Sequence, residues 1–252
     1  MIIFYDMKVY FLLLIFLIFG LTGCKKPGGT DTIEPQKGYI SGIVMDTKGQ
    51  PIQDALVYIS STGPYANGAS VHTDAKGNYR VKMDYGSYRA YATFQKSYAG
   101  VVYDIQLMPS NSDSFSESDS PIVDFKWVLS GKKPIPLQGY FGGYIGLYQG
   151  DTNIPKNEVE FTFTALELID GTTLSGPILK KPTEVSTQYL EDLPLGKYKV
   201  TAIHKPTRGT AKVIALKNKD TGELSSAGGS INVVFKPESS GFYRANIEFF
   251  EP

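Results

Sequence analysis

Tyr39-Ile-Ser-Gly-Ile-Val-Met45 runs into Asp46-Thr-Lys-Gly-Gln-Pro51, and after a short connection Ala55-Leu-Val-Tyr-Ile59 follows. The two apolar runs are short and rich in β-branched and aromatic residues, as strands are. Between them an acidic turn former precedes a glycine that can adopt positive φ, so the chain reverses there. The same punctuation recurs at Asp74-Ala-Lys-Gly-Asn78, ahead of Tyr79 to Met83, where Tyr79, Val81 and Met83 alternate with Arg80 and Lys82. A period of two places alternate side chains on opposite faces, which makes this a half-buried strand.

Further strands are expected at Tyr88 to Phe94 and Val101 to Leu107. Residues 109–121 are rich in serine and acid, with almost nothing to bury, and read as a polar loop or linker. From Ile122 to Leu129 the residues Val123, Phe125, Trp127 and Leu129 share one aromatic face, so the single tryptophan is expected in a core. The idiom then repeats: Val159, Phe161, Phe163 and Ala165 alternate with Glu160, Thr162 and Thr164. Strand candidates also run over Tyr198 to Ile203, Ala211 to Leu216, Ile231 to Phe235 and Tyr243 to Phe250. No window carries a useful helical period. Pro-Leu-Gly-Lys-Tyr-Lys-Val-Thr-Ala at 194–202 echoes Tyr-Gly-Ser-Tyr-Arg-Ala-Tyr-Ala at 85–92. The expected fold is all-β, with two β-sandwich domains in tandem, 38–108 and 122–252.

Composition agrees with many short strands joined by turns: 17 tyrosines, 14 phenylalanines, 26 glycines and 15 prolines are spread along the 252 residues. Lys and Arg total 25, as do Asp and Glu, and the two signs are interspersed. That balance leaves no electrostatic footprint for nucleic acid. With one cysteine there is no disulfide framework, and stability must come from packing.

The chain opens with Lys8, an apolar run from Val9 to Phe19, and Leu21-Thr22-Gly23-Cys24. The run is shorter than the ~20 residues that cross a bilayer and reads as a removable signal, residues 1–23. Leu21-Thr22-Gly23-Cys24 resembles the lipobox of bacterial lipoproteins. The resemblance implies lipidation at Cys24, where two or three acyl chains at about 0.8 kcal/mol per buried CH₂ hold a protein stably on a membrane. Lys25 after the cysteine, under the familiar sorting preference, implies the outer membrane of a Gram-negative cell. Residues 24–37 are polar and breaker-rich, and form a flexible tether.

Gly42-x-Val44-x-Asp46-x-x-Gly49-x-Pro51-Ile52-x-x-Ala55-x-Val57, followed by Thr73-Asp74-x-x-Gly77-x-Tyr79, resembles the carboxypeptidase regulatory-like domain, a prealbumin-like β-sandwich. The resemblance implies architecture and no activity, because the module accompanies proteins of many kinds without supplying catalytic residues. The second half is similar to the C-terminal part of some bacterial secreted proteins that carry this module first. Phe125-x-Trp127-x-Leu129-Ser130-Gly131, Gly142-Gly143, Val159-Glu160-x-Thr162-x-Thr164 and Leu168-Ile169-Asp170-Gly171 carry that likeness.

Catalytic chemistry finds little to stand on. Only His72 and His204 are available as imidazole bases, and both read as solvated strand-end residues. Glu158 with Glu160, and Glu191 with Asp192, are acidic neighbours of the kind glycoside hydrolysis uses, but residues two apart on a strand share a face that is ordinarily solvated. Zinc lacks a ligand set, and Asp113, Glu117 and Asp119 in the polar loop are better explained by solvation than by calcium. No cofactor or metal is expected.

Gln138-Gly-Tyr-Phe-Gly-Gly-Tyr-Ile-Gly-Leu-Tyr148 offers a binding surface instead. Tyr140, Phe141, Tyr144 and Tyr148, flanked by glycines, either present flat rings to a sugar or peptide or fill the sandwich while glycine permits close backbone approach. The chain thus reads as a non-catalytic cell-envelope lipoprotein that binds or scaffolds, with a glycan, a peptide or another envelope protein as partner and the membrane reached through its lipid. The alternatives are a lipid-anchored hydrolase whose carboxylates converge in the fold, and a purely structural spacer or adhesin-like stalk.

Overall fold

The computed structural model describes residues 33–63, 68–183 and 188–251. The expected signal peptide and lipidation at Cys24 lie outside the described residues. In chain order the strands are β1 (Tyr39–Met45), β2 (Leu56–Ser61), β3 (Ala69–His72), β4 (Asn78–Lys82), β5 (Ser87–Tyr98), β6 (Val101–Gln106), β7 (Met108–Pro109), β8 (Phe115–Ser116) and β9 (Phe125–Lys126). They continue with β10 (Gly143–Gln149), β11 (Val159–Leu168), β12 (Ile178–Lys180), β13 (Tyr189–Leu193), β14 (Gly196–His204), β15 (Lys212–Val213), β16 (Ala215–Asn218), β17 (Ile231–Val234), β18 (Lys236–Ser239) and β19 (Phe242–Phe250).

These strands make four sheets and two sandwiches. In the first half the orders are β4-β1-β9-β7 and β3-β2-β5-β6, with β8 added to β5. In the second they are β13-β10-β19-β16, with β18 added to β19, and β12-β11-β14-β15, with β17 added to β14. Aromatic side chains bridge the paired sheets: Phe94 meets Trp127 edge-on at 5.0 Å, and Phe161 meets Phe249 edge-on at 6.1 Å. The all-β expectation holds, and so does the alternation. Val159, Phe161 and Phe163 are all fully buried on β11, as are Tyr243, Ala245, Ile247 and Phe249 on β19, each worth roughly 1.5–3 kcal/mol for a large apolar side chain.

The turn chemistry is as the sequence suggested. Asp46 Oδ1 accepts the backbone N–H groups of Lys48 and Gln50, both at 2.8 Å, and Asp74 Oδ1 accepts those of Lys76 and Asn78 at 2.9 and 2.8 Å. Gly49 and Gly77 sit at φ +78° and +74°, where a side chain would be strained.

Each sandwich closes in the same way, its first strand lying parallel to its last: β1 beside β9, and β10 beside β19. This moves a boundary. Residues 122–129 were expected to open the second domain, but Phe125 pairs with Val44 and Ile122 bridges to Ser41, so they complete the first sandwich. Val123, Phe125 and Trp127 do face a core, that of the first half. The approach is close enough that a Cβ on Gly42 would lie 2.1 Å from the Val123 carbonyl oxygen. Nor is 109–121 a free linker. Phe115 is buried, Ser116 pairs with Ser87, and the Glu117 carbonyl accepts the Gly38 N–H.

Two expected strands change sheet along their length. Ala211 to Leu216 becomes β15, beside β14, and β16, beside β19; Ile231 to Phe235 gives β17, beside β14, before β18 joins β19. The change of sheet buries Phe235, which meets Tyr198 edge-on at 6.1 Å.

Residues 35–252 form one compact unit, and a buried seam joins the halves. The Tyr103 hydroxyl donates to the Phe235 carbonyl, and the Tyr243 hydroxyl donates to the Asp104 carbonyl at 2.6 Å. Burial pushes the Tyr103 phenol up to about 12 and the Tyr243 phenol up further, so both stay protonated donors. Lys133, only 8% exposed, donates from Nζ to the Gly241 carbonyl at 2.7 Å, and its desolvation lowers the ammonium pKa.

Candidate functional site

On β2 the core side chains are Val57 and Ile59, so Leu56, Tyr58 and Ser60 point the other way. On β5 the core takes Tyr88, Ala90 and Ala92, which turns Arg89, Tyr91 and Thr93 outward. Register then assembles a surface. Tyr58 lies opposite Tyr91, Leu56 opposite Thr93 and Ser60 opposite Arg89, while on β3 Ser70 lies opposite Tyr58 and His72 opposite Leu56. The Tyr58 and Tyr91 rings stack, with centroids 5.2 Å apart and planes 21° from parallel. Partial burial, then the neighbouring Tyr91 and Asp104, raise the Tyr58 pKa, so its hydroxyl remains a neutral donor and acceptor.

Two depressions lie along this face. One, of about 380 Å³, is lined by Gln53, Asp54, Leu56, His72, Thr93 and Asp104 among others, and is polar and charged. The other, of about 470 Å³, lies over Ser60, Gly68 and Ser70 with Tyr58 as its wall. Together they place one charged and one uncharged hollow, each with polar and apolar lining, beside an aromatic pair, an arrangement suited to holding a ligand by ring stacking and a few hydrogen bonds.

The four rings that offered either a platform or core filling are dispersed. Phe141 and Tyr144 are buried, at 4% and 8% exposure, so neither can present a face to a ligand. Tyr144 stacks on Phe242 at 4.7 Å, and its hydroxyl accepts the Tyr140 N–H at 3.0 Å. Tyr140 lines a depression of about 290 Å³ beside Lys180 and Tyr189, while Phe141 lines only a tight gap at the seam beside Trp127, Lys133 and Tyr243. Tyr148 is exposed, with the Lys219 ammonium 4.8 Å from its ring centre. The reason is that β10 is an inner strand flanked by β13 and β19, and its glycines make room for neighbours: a Cβ on Gly143 would lie 2.3 Å from the Phe235 ring.

Three of the four acidic neighbours, Glu158, Glu160 and Asp192, have their carboxylates engaged. Glu158 Oε2 lies 3.0 Å from His204 Nε2, and its other oxygen accepts the Thr207 N–H and hydroxyl at 3.1 and 3.0 Å. The hydrogen bond from His204, then those from Thr207, hold the Glu158 carboxyl below its usual range. Glu160 pairs with Lys205 at 2.5 Å. Asp192, at φ +59°, accepts the Gly131 N–H at 2.7 Å, while the Glu191 carbonyl accepts from Lys180 Nζ at 2.8 Å. His72 is a solvated strand-end residue beside Asp54, 3.0 Å away and 82% exposed, a pair worth at most ~1 kcal/mol. Glu158 and Glu160 thus hold down the start of β11 and the end of β14, and the two pairs of acids do not converge on a common cleft.

Sequence reasoning did not single out Tyr58 and Tyr91. Their signal was parity: each is a large ring on the opposite phase from the small and β-branched core residues beside it.

No curated protein matches the chain. Among solved structures, the TIE protein of Bacillus anthracis aligns at 12% identity over 85% of this chain and 48% of its own, with a TM-score of 0.27. A streptococcal ancillary pilin aligns at 12% identity over 82% and 61%, with a TM-score of 0.24. The B1 repeat unit of a collagen-binding surface protein of Staphylococcus aureus aligns at 10% identity over 87% and 100%, with a TM-score of 0.25. The chain thus spans about half to three-fifths of the first two, and at these scores the alignments do not establish a common overall structure. Within the chain, residues 39–115, which carry the two Asp-x-x-Gly turns and the Tyr58–Tyr91 ridge, match the model of the carboxypeptidase regulatory-like domain.

Proposed function

We propose that this protein is a non-catalytic binding module of the cell envelope, held to the membrane by lipid at Cys24, and that the outer face of the β3-β2-β5-β6 sheet meets its ligand. The observation that carries the reading is the stacked Tyr58–Tyr91 pair on the solvent side of two central strands, where packing of the sandwich makes no use of it. A tether of polar residues leading from the anchor lets the module sample the surrounding envelope, and anchoring raises its local concentration there. The occupied state of Glu158, Glu160 and Asp192 supports the non-catalytic half of the proposal.

The test is a binding screen of the protein against polysaccharides and envelope peptides, with the double variant Tyr58→Ala, Tyr91→Ala alongside. A ligand that prefers the folded state raises the melting temperature, and the double variant is expected to lose that shift while remaining folded. Equal shifts in both proteins would remove the ridge from the site.

A further inference from the structure

The depression between Tyr58 and the edge strand β3 differs in chemistry from its neighbour across the ridge. It is lined by Tyr58, Ser60, Ser61, Gly68, Ala69 and Ser70, with no charged side chain among its lining residues. The other hollow carries Asp54, His72 and Asp104. Ser60 and Ser70 are exposed on the same sheet face as Tyr58, and neither hydroxyl has a protein partner among the described residues. Among the described residues Ser70, a small one, lies opposite the half-buried Tyr58 on β3, and the Tyr91 ring stacks on Tyr58 from β5 at 5.2 Å. The wall is therefore set before any ligand arrives, which reduces the ordering cost of binding. The depression is open, at about 470 Å³, so a ligand held there keeps one side in solvent.

From this, and resting on the proposal that the Tyr58–Tyr91 face is the binding face, we infer that the trough is a subsite for one ring of a neutral glycan. A pyranose has an apolar C–H face and a rim of hydroxyls. Its C–H face lies on the Tyr58 ring, an amphipathic surface, and its rim reaches the Ser60 and Ser70 hydroxyls, each able to donate and to accept. Arg89 faces outward opposite Ser60 but is not among the residues that line the trough, so the trough itself offers no charge, and a cationic side chain is better served by the hollow that holds Asp104.

The experiment uses the full chain in a sugar-free detergent, titrated with soluble amylopectin, galactomannan and laminarin as neutral probes and with polygalacturonate and oligolysine as charged ones. At least one neutral polymer is expected to bind saturably. Ser70→Leu, which fills the trough and leaves both tyrosines in place, is expected to weaken that binding tenfold or more, and Ser60→Val to weaken it less. Asp104→Asn is expected to leave it within twofold. Neutral binding that survives Ser70→Leu but is lost in Tyr58→Ala overturns the trough and keeps the face. So does binding confined to a charged probe and lost in Tyr58→Ala. Binding that Tyr58→Ala does not alter, or no binding to any probe, overturns both.

Discussion

The hydroxyl of Tyr103, on the last long strand of the first sandwich, donates to the main-chain carbonyl of Phe235, 132 residues further along. Tyr103 is 1% exposed and its ring lies 5.8 Å from that of Tyr243, whose hydroxyl returns the contact to the Asp104 carbonyl. The reciprocal pair makes the halves one packed body. Trp127, the single tryptophan, packs on Phe94 of the first sandwich and borders the seam beside Tyr243, while far-ultraviolet circular dichroism reports on both halves. In urea the two signals are expected to change together, as a cooperative unit requires; transitions at separate concentrations would show that the sandwiches unfold independently.

Tyr103→Phe keeps the ring and removes the donor, leaving a buried carbonyl without its partner. A loss of about 1–3 kcal/mol is expected from urea denaturation. Tyr243→Phe should behave alike, and the double variant should depart from the sum of the singles by ~0.5 kcal/mol or more, since neighbours in one network couple. Strict additivity would show that the two hydroxyls act separately.

Tyr144 and Tyr58 separate packing from surface. Tyr144→Ala opens a cavity beside Phe242 in the second sandwich and is expected to cost about 3–5 kcal/mol, as large aromatic truncations do. Tyr58→Ala removes a cross-strand contact worth roughly 0.2–1 kcal/mol along with some apolar cover. Thermal denaturation of the two variants ranks them, and a larger loss for Tyr58→Ala would place that ring in the core.

Gly42→Ala pushes a methyl group against the backbone of residue 123 and cannot be relieved by turning a side chain. A loss of about 1–3 kcal/mol is expected, as for overpacking elsewhere. A neutral result would show that residues 122–127 do not lie against β1.

Glu158 carries a pH dependence whose sign is set. Its carboxyl is held below the usual range by His204 and then Thr207. A depressed pKa contributes stability above the unfolded value, about 4.3, and that contribution disappears as pH falls through the folded value. Urea midpoints measured from pH 7 down to pH 3 should therefore fall more steeply below about pH 4.3 in the natural protein than in Glu158→Gln. Parallel curves would mean that the His204 contact adds nothing.

Cys24→Ala tests the anchor apart from the fold. The variant is expected to leave the membrane fraction and to escape lipoprotein processing. Unchanged fractionation would rule out lipid at that position.

The strands and turns were legible because their causes are local. Asp46 and Asp74 bind the amides two and four residues on, and the alternation in Val159 to Ala165 and Tyr243 to Phe250 marks one core face each. The strand β10 was not legible as such. It is buried on both faces through most of its length, so its period of two vanishes, and its glycines resemble a loop when their role is to admit Phe235 and the neighbouring strands. The boundary between sandwiches was hidden for a different reason. Parallel pairing of β1 with β9 joins segments some eighty residues apart, and nothing in the local pattern of Ile122 to Leu129 says whose core it completes.

By itself the sequence determined that this is an all-β chain, where it turns, and which side chains share a face, because a two-residue repeat and a glycine after an acidic turn former act within a few residues. Tertiary structure decided which of two faces meets water, which strands lie side by side, and therefore that Tyr58 and Tyr91 form a half-buried ridge on the outer face while Phe141 and Tyr144 are packed away. Alternation is symmetric between the faces of a strand. Only the burial of one face against a second sheet, fixed by contacts distant along the chain, breaks that symmetry.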